Sequence, residues 1–130
     1  MAQTAFGFLV QHLREERRLS LRELGQLASI DHAYIYRLET GEKESPSAEV
    51  LTKLLRALKA SKREADILRY LAEHSQIDPA LVAHVLADPT VTSEIFCSVA
   101  GAAFRGTARP DYPKLIERVR RILQEENGDG

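Results

Sequence analysis

At 130 residues the chain has room for one ordinary domain, or for two small ones that would each struggle to bury enough core alone. Its 44% hydrophobic and 28% charged content is that of a soluble globular protein, and the absence of a long apolar run or a basic-then-apolar leader argues against a membrane span or secretory signal. A single cysteine excludes an intramolecular disulfide and a cysteine-rich zinc cage, which fits a reducing cytoplasm, and a net charge of -1 means that any charge meant for a nucleic acid must be local.

In chain order, helix signals dominate and strand signals are nearly absent. Phe6, Leu9, Val10 and Leu13 recur at helical spacing, followed by Arg14, Arg17 and Arg18. Ser20-Leu21-Arg22-Glu23 has the form of a capping box, opening a helix with Leu21, Leu24 and Ala28 on one face. Asp31 is a good N-cap for a third helix that turns Ile35 and Leu38 inward. Ser45-Pro46-Ser47 starts a fourth, bearing Val50, Leu51, Leu54, Leu55 and Leu58. A second capping box, Ser61 to Glu64, opens a fifth with Ile67, Leu68 and Leu71. The segment from His74 to Pro79 reads as a hinge, dividing a domain of residues 1–75 from one of residues 76–130. In the second half, Asp78-Pro79 and Asp88-Pro89 each resemble an N-cap followed by a first-turn proline. Helices are expected around Leu81 to Leu86, around Ile95 to Ala103 and from Leu115 to Leu123, with a Gly/Pro-interrupted loop over 105–113. The predicted fold is all-α: a five-helix N-terminal domain and a small helical C-terminal one.

The stretch LASIDHAYIYRLETGE, residues 27–42, holds the densest chemistry. Two short helices joined by a three-residue turn and packed through Leu24, Ala28, Ile30, Ile35 and Leu38 form a helix-turn-helix. The second helix of such a motif enters the major groove and presents its N-terminal residues to base edges. His32, Ala33, Tyr34 and Tyr36 fall there. Arg37 could read guanine bidentately, or bind phosphate or Glu39 instead. His32 could reach a base or a phosphate, or remain a solvated surface histidine. Tyr34 and Tyr36 could each donate a phenolic hydroxyl to phosphate, or one could pack beneath the helix. The backbone amides of Ser20 and Leu21, at a helix N-terminus, are candidate phosphate ligands, and Thr40 and Lys43 extend the backbone contacts.

From Ser20 to Leu58 the sequence resembles the Cro/C1-repressor (XRE) family, through Leu24, Ile30, Ile35, Leu38, Glu39, Gly41, Pro46-Ser47 and Leu51. That resemblance implies a structural ion pair between Arg14 and Glu39. Two positions depart from the pattern. Ser29 stands where the turn usually holds glycine, and Gly25 stands where alanine is common, at a cost of about 1 kcal/mol unless close helix approach compensates. Glu42 and Glu44 flank Lys43 and weaken phosphate attraction there.

Other chemistries find little support. His12, His32, His74 and His84 lie far apart, and neither an HExxH pattern nor a paired-carboxylate cluster is present, so no metal, cofactor or enzymatic activity is expected. Cys97, among Ile95, Phe96 and Val99, reads as a small buried hydrophobe. The second half is expected to dimerise the protein through Ile95, Phe96, Val99, Leu115, Val119 and Ile122, because one helix-turn-helix reads few base pairs and two-fold pairing onto a palindromic operator is the usual remedy. The other reading is a C-terminal cap on the first domain. LADPT at 86–90, Phe104-Arg105-Gly106, Arg109-Pro110 and Arg121-Ile122-Leu123 resemble the C-terminal domain of DdrO-type DNA-damage-response repressors. That resemblance implies a homodimer inactivated by a zinc-dependent peptidase of the IrrE/ImmA type, cutting between Phe104 and Arg105. The rival expectation is an antitoxin that masks a toxin and autoregulates its operon. On sequence statistics alone, residues 100–110 read equally well as an ordinary surface loop.

Overall fold

In a computed structural model, residues 3–43, 45–104 and 110–128 are described, and among them every regular element is helical. The order is α1 (Ala5–Glu16), α2 (Leu21–Ala28), α3 (His32–Thr40), α4 (Ala48–Ala57), α5 (Lys62–Glu73), α6 (Pro79–Ala87), α7 (Ser93–Phe104) and α8 (Tyr112–Gly128). The chain forms two compact units, residues 1–79 and 80–130.

In the first unit each helix starts where a side chain can take up the free amides of its first turn. Thr4 accepts from Gly7, Asp31 from Ala33 and Ser47 from Val50. Both expected capping boxes are complete: Ser20 pairs reciprocally with Glu23, and Ser61 with Glu64. The Ser20 amide and hydroxyl together hold the Glu23 carboxyl below its usual range. Helix α1 packs on α3 and α5, while α2 packs on α3 and α4. Phe6, Leu9, Leu13, Leu24, Ile35, Leu38, Leu54, Leu58, Ile67, Leu68 and Leu71 form its fully buried interior. Arg17 ties three elements together: its guanidinium donates to the Leu58 carbonyl at 2.5 Å and to Glu64 at 2.9 Å. One cation thereby closes the C-terminus of α4 and steadies the capping box of α5.

Three helices end on side-chain-bearing residues in the left-handed region: Arg18 (φ 56°), Ser29 (φ 57°) and Lys59 (φ 51°). Glycine is the usual occupant of such positions, since a Cβ there crowds the following carbonyl. Ser29 therefore answers the missing turn glycine: the turn keeps the left-handed geometry and carries its strain.

In the second unit α7 packs on α8. Helix α6 begins at Pro79, as the Asp78-Pro79 signal requires. The matching signal at Asp88-Pro89 does not open a helix. The Asp88 carboxylate instead accepts from both the amide and the hydroxyl of Thr90, a two-residue turn that depresses its pKa, and Thr92 caps α7 by accepting from the Ile95 amide. Helix α8 also starts earlier than its apolar spacing implied. Asp111 accepts from the Lys114 amide, so Pro113 lies in a first turn, where its missing N–H costs nothing. No helix among the described residues is long and apolar enough to cross a membrane.

Replacing Ser29 with glycine should remove the left-handed strain without touching a buried contact. Urea unfolding of Ser29→Gly is expected to show a gain of about 1 kcal/mol, and an unchanged or lowered midpoint would contradict the strain argument.

Candidate nucleic-acid interface

Helix α3 divides sharply into two faces. Ile35, Leu38 and Glu39 are buried; His32, Ala33, Tyr36 and Arg37 are exposed. The exposed set has the i, i+1, i+4, i+5 spacing of a single outward face. Tyr36 alone leaves 53% of its surface in solvent, unusual for so large a ring. The two tyrosines separate as one of the sequence readings allowed. Tyr34 is half-buried with the Lys43 ammonium 5.3 Å from its ring centre, while Tyr36 projects outward. Thr40 is half-buried, and its hydroxyl donates back to the Arg37 carbonyl at 3.3 Å.

One expected phosphate ligand is already in use. The Ser20 amide donates to the Glu23 carboxylate at 3.0 Å, so the capping box that starts α2 removes that donor and sets a negative charge beside it. The Leu21 amide, in the same first turn, has no part in that exchange.

The pose of α3 is set from behind. Arg14 on α1 grips Glu39 bidentately, at 2.7 and 2.9 Å, and gives a third bond to the Leu19 carbonyl at 2.9 Å. Glu39 is 4% exposed, so the pair is almost fully withdrawn from water. The hydrogen bond to Glu39 raises the Arg14 pKa against the opposing effect of burial, keeping the guanidinium charged. Two positions that sequence reading passed over serve the same end. Gly7 lies against the C-terminal backbone of α3: a Cβ there would collide with the Leu38 carbonyl and lie 2.7 Å from that of Glu39. Gln3 donates to the Glu39 carbonyl at 2.8 Å, satisfying one of the helix's last acceptors. Gly25 resolves similarly, since a Cβ on it would sit 2.7 Å from the Ile30 carbonyl and 3.2 Å from the His32 amide. The glycine within α2 is what lets the start of α3 come so close. A glycine inside a helix pattern was the available signal in both cases.

Residues 5–68 match a family model described as a helix-turn-helix domain. This segment is a DNA-binding helix-turn-helix of the XRE type. No curated protein matches the sequence. In the helix-turn-helix, α2 and α3 are the two motif helices and Ser29 to Asp31 form the turn; in motifs of this kind the second helix is the one that enters the major groove.

The other expected sites are placed less favourably. Phe96 and Val99 are 0% exposed and Ile95 and Val119 are nearly so, which puts them in the interior of the chain, where a partner could touch them only if the packing opened. Leu115 is half-buried; Ile122, at 45%, is the one of the six that projects into solvent. Cys97 is half-buried rather than buried. Arg105 and the Phe104 side chain lie outside the described residues. Among the described residues no group of histidine, cysteine or carboxylate side chains could hold a metal ion.

Breaking the Arg14–Glu39 pair from one side should be costly because it strands a buried charge. Arg14→Ala and Glu39→Ala are each expected to lose about 3–5 kcal/mol in chemical denaturation, while the double replacement by methionine should recover most of the loss. Strict additivity of the two single losses would show that the pair is not coupled.

Proposed function

We propose that the protein is a sequence-specific transcriptional repressor that binds a palindromic operator as a homodimer. The observation that carries this reading is the outward face of α3, where His32, Ala33, Tyr36 and Arg37 stand clear of every core contact on a helix fixed from behind. Arg37 has the reach and fork geometry to meet guanine O6 and N7 together, and Ala33 is small enough to sit against a thymine methyl. His32, at the first position of the helix, meets a base edge or the adjoining phosphate. Lys43, beyond the helix end, neutralises backbone charge.

The second unit supports the dimer. It adds three helices with apolar faces to a reader that spans only a few base pairs alone. With Phe96 and Val99 interior, self-association falls to the solvent side of α8, around Ile122 and half-buried Leu123. The sequence resemblance extends the proposal to relief of repression: a zinc-dependent peptidase of the IrrE/ImmA type cuts between Phe104 and Arg105. The cut separates α7 from α8, which buries Tyr112, Ile116 and Val119. Each such side chain stabilises by roughly 1.5–3 kcal/mol when fully buried, so losing their covalent tether matters to so small a unit.

Selection from a random duplex pool should recover a two-fold symmetric site with half-sites about 34 Å apart. On that site Arg37→Ala is expected to lose about 1–3 kcal/mol and to relax preference at one base position. An equal loss on random DNA would reduce Arg37 to a phosphate contact. Sedimentation tests the assembly: the full chain should run as a dimer and Ile122→Lys as a folded monomer, with operator avidity down by roughly 10²–10⁴. A wild-type monomer that holds the palindrome undiminished would remove the dimer from the proposal.

A further inference from the structure

The flank of α2 that turns toward α4 carries the most exposed large apolar side chain among the described residues. Leu27 leaves 61% of its surface in solvent, more than Tyr36 or Ile122. It stands about 140° round α2 from Arg22, so it borders α4 rather than the start of α3. A groove of about 430 Å³ runs between the two helices there. Leu27, Ala28 and Ala57 give it an apolar floor, and Lys53, Arg56 and Lys59 give it a cationic rim. The rim belongs to a longer bias. From Lys53 to Arg63 the chain holds Lys53, Arg56, Lys59, Lys62 and Arg63 and no carboxylate, within a protein of net charge -1. Of the three rim cations Lys53 has a carboxylate beside it, the exposed Glu49 at 3.4 Å. Arg56 and Lys59 stand at the end of α4, where any helix favours cations. Leu27 has no such local reason, since helix propensity would be met as well by glutamine or lysine.

We propose that this groove docks an acidic amphipathic helix of a partner protein, with an apolar side chain against Leu27 and carboxylates on Lys53, Arg56 and Lys59. Cations along an apolar strip call for their complement, an apolar residue flanked one turn away by Glu or Asp. Other occupants fit less well. A second copy of this chain, paired two-fold through the same surface, would set the cations of one groove against those of the other. A DNA strand would satisfy the cations but leave Leu27 facing ionised phosphate, which cannot bury it. A bilayer needs a broader apolar face than one leucine supplies. No α3 residue lines the groove, so the proposal stands apart from the DNA-binding reading.

The test pans the full chain against a phage-displayed library of helical peptides, then measures the recovered consensus as a synthetic peptide by fluorescence anisotropy. Recovered sequences should place Glu or Asp one turn from Leu, Ile or Phe, and binding should weaken as salt rises. Arg56→Glu and Leu27→Gln should each weaken that peptide about tenfold. Both sites are exposed, so circular dichroism of the two variants should match wild type. Replacing the peptide's carboxylates with amides should cost at least as much. A consensus without carboxylates, or a peptide indifferent to both variants, would overturn the assignment. An equal loss on duplex DNA in Arg56→Glu would overturn it too, by giving the rim to phosphate. So would retention by phosphatidylglycerol vesicles, lost in Leu27→Gln, with no peptide recovered. Failure of the α3 reading would show separately, as a wild type that retains no duplex yet still binds the peptide.

Discussion

The bidentate bond between Arg14 and Glu39 is the constraint on which the rest of the first unit depends. It joins two helices that are distant in sequence, and it does so on the face of α3 opposite its exposed side chains His32, Ala33, Tyr36 and Arg37. A buried ion pair is a poor source of net stability, because desolvation cancels much of the attraction. What it supplies here is position. Two parallel N–H···O bonds fix distance and rotation together, so α3 can neither slide along α1 nor roll without stranding a charge. Gly7 and Gln3 reinforce the same placement from the backbone side, one by letting α1 come close and the other by closing the final carbonyls. The apolar interior then needs only to fill space around a helix whose register is already set.

Much of this was legible in the residues. The helix starts could be read because capping is local chemistry: Ser20 with Glu23 and Ser61 with Glu64 need only their own backbone to form. The helix-turn-helix could be read because its apolar positions recur at fixed spacing, whatever surrounds them. The use of the Ser20 amide by Glu23 was implicit in the capping box itself, and follows once the two readings of that serine are set side by side. Gly7 and Gly25 were harder. Sequence shows a residue that weakens a helix, while the backbone carbonyl that forbids a side chain there comes from another element.

The second unit was less legible for a related reason. Apolar periodicity gives the face a helix buries, but not whether it buries it against its own chain or against another copy. Phe96 and Val99 lie on such a face, and the interior of the chain claims them. The prolines misled in a similar way. Pro79 opens a helix and Pro89 does not, although each follows an aspartate; the Asp88 carboxylate accepts from the amide and the hydroxyl of Thr90 in a turn that no helix continues.

The depth at which Glu39 is held has a kinetic consequence. A surface helix of nine residues would ordinarily fray and reseal many times before its domain unfolds once. Here the last turn of α3 cannot lift away without exposing Leu38, which is fully buried, and parting a carboxylate that is 4% exposed from its arginine, so local opening costs more than the fraying of an ordinary helix end. Hydrogen exchange at the end of α3 should accordingly be slower than at a helix end without such an anchor. An outward face held from behind in this way is ordered before any ligand arrives, and binding there need not spend free energy on ordering it.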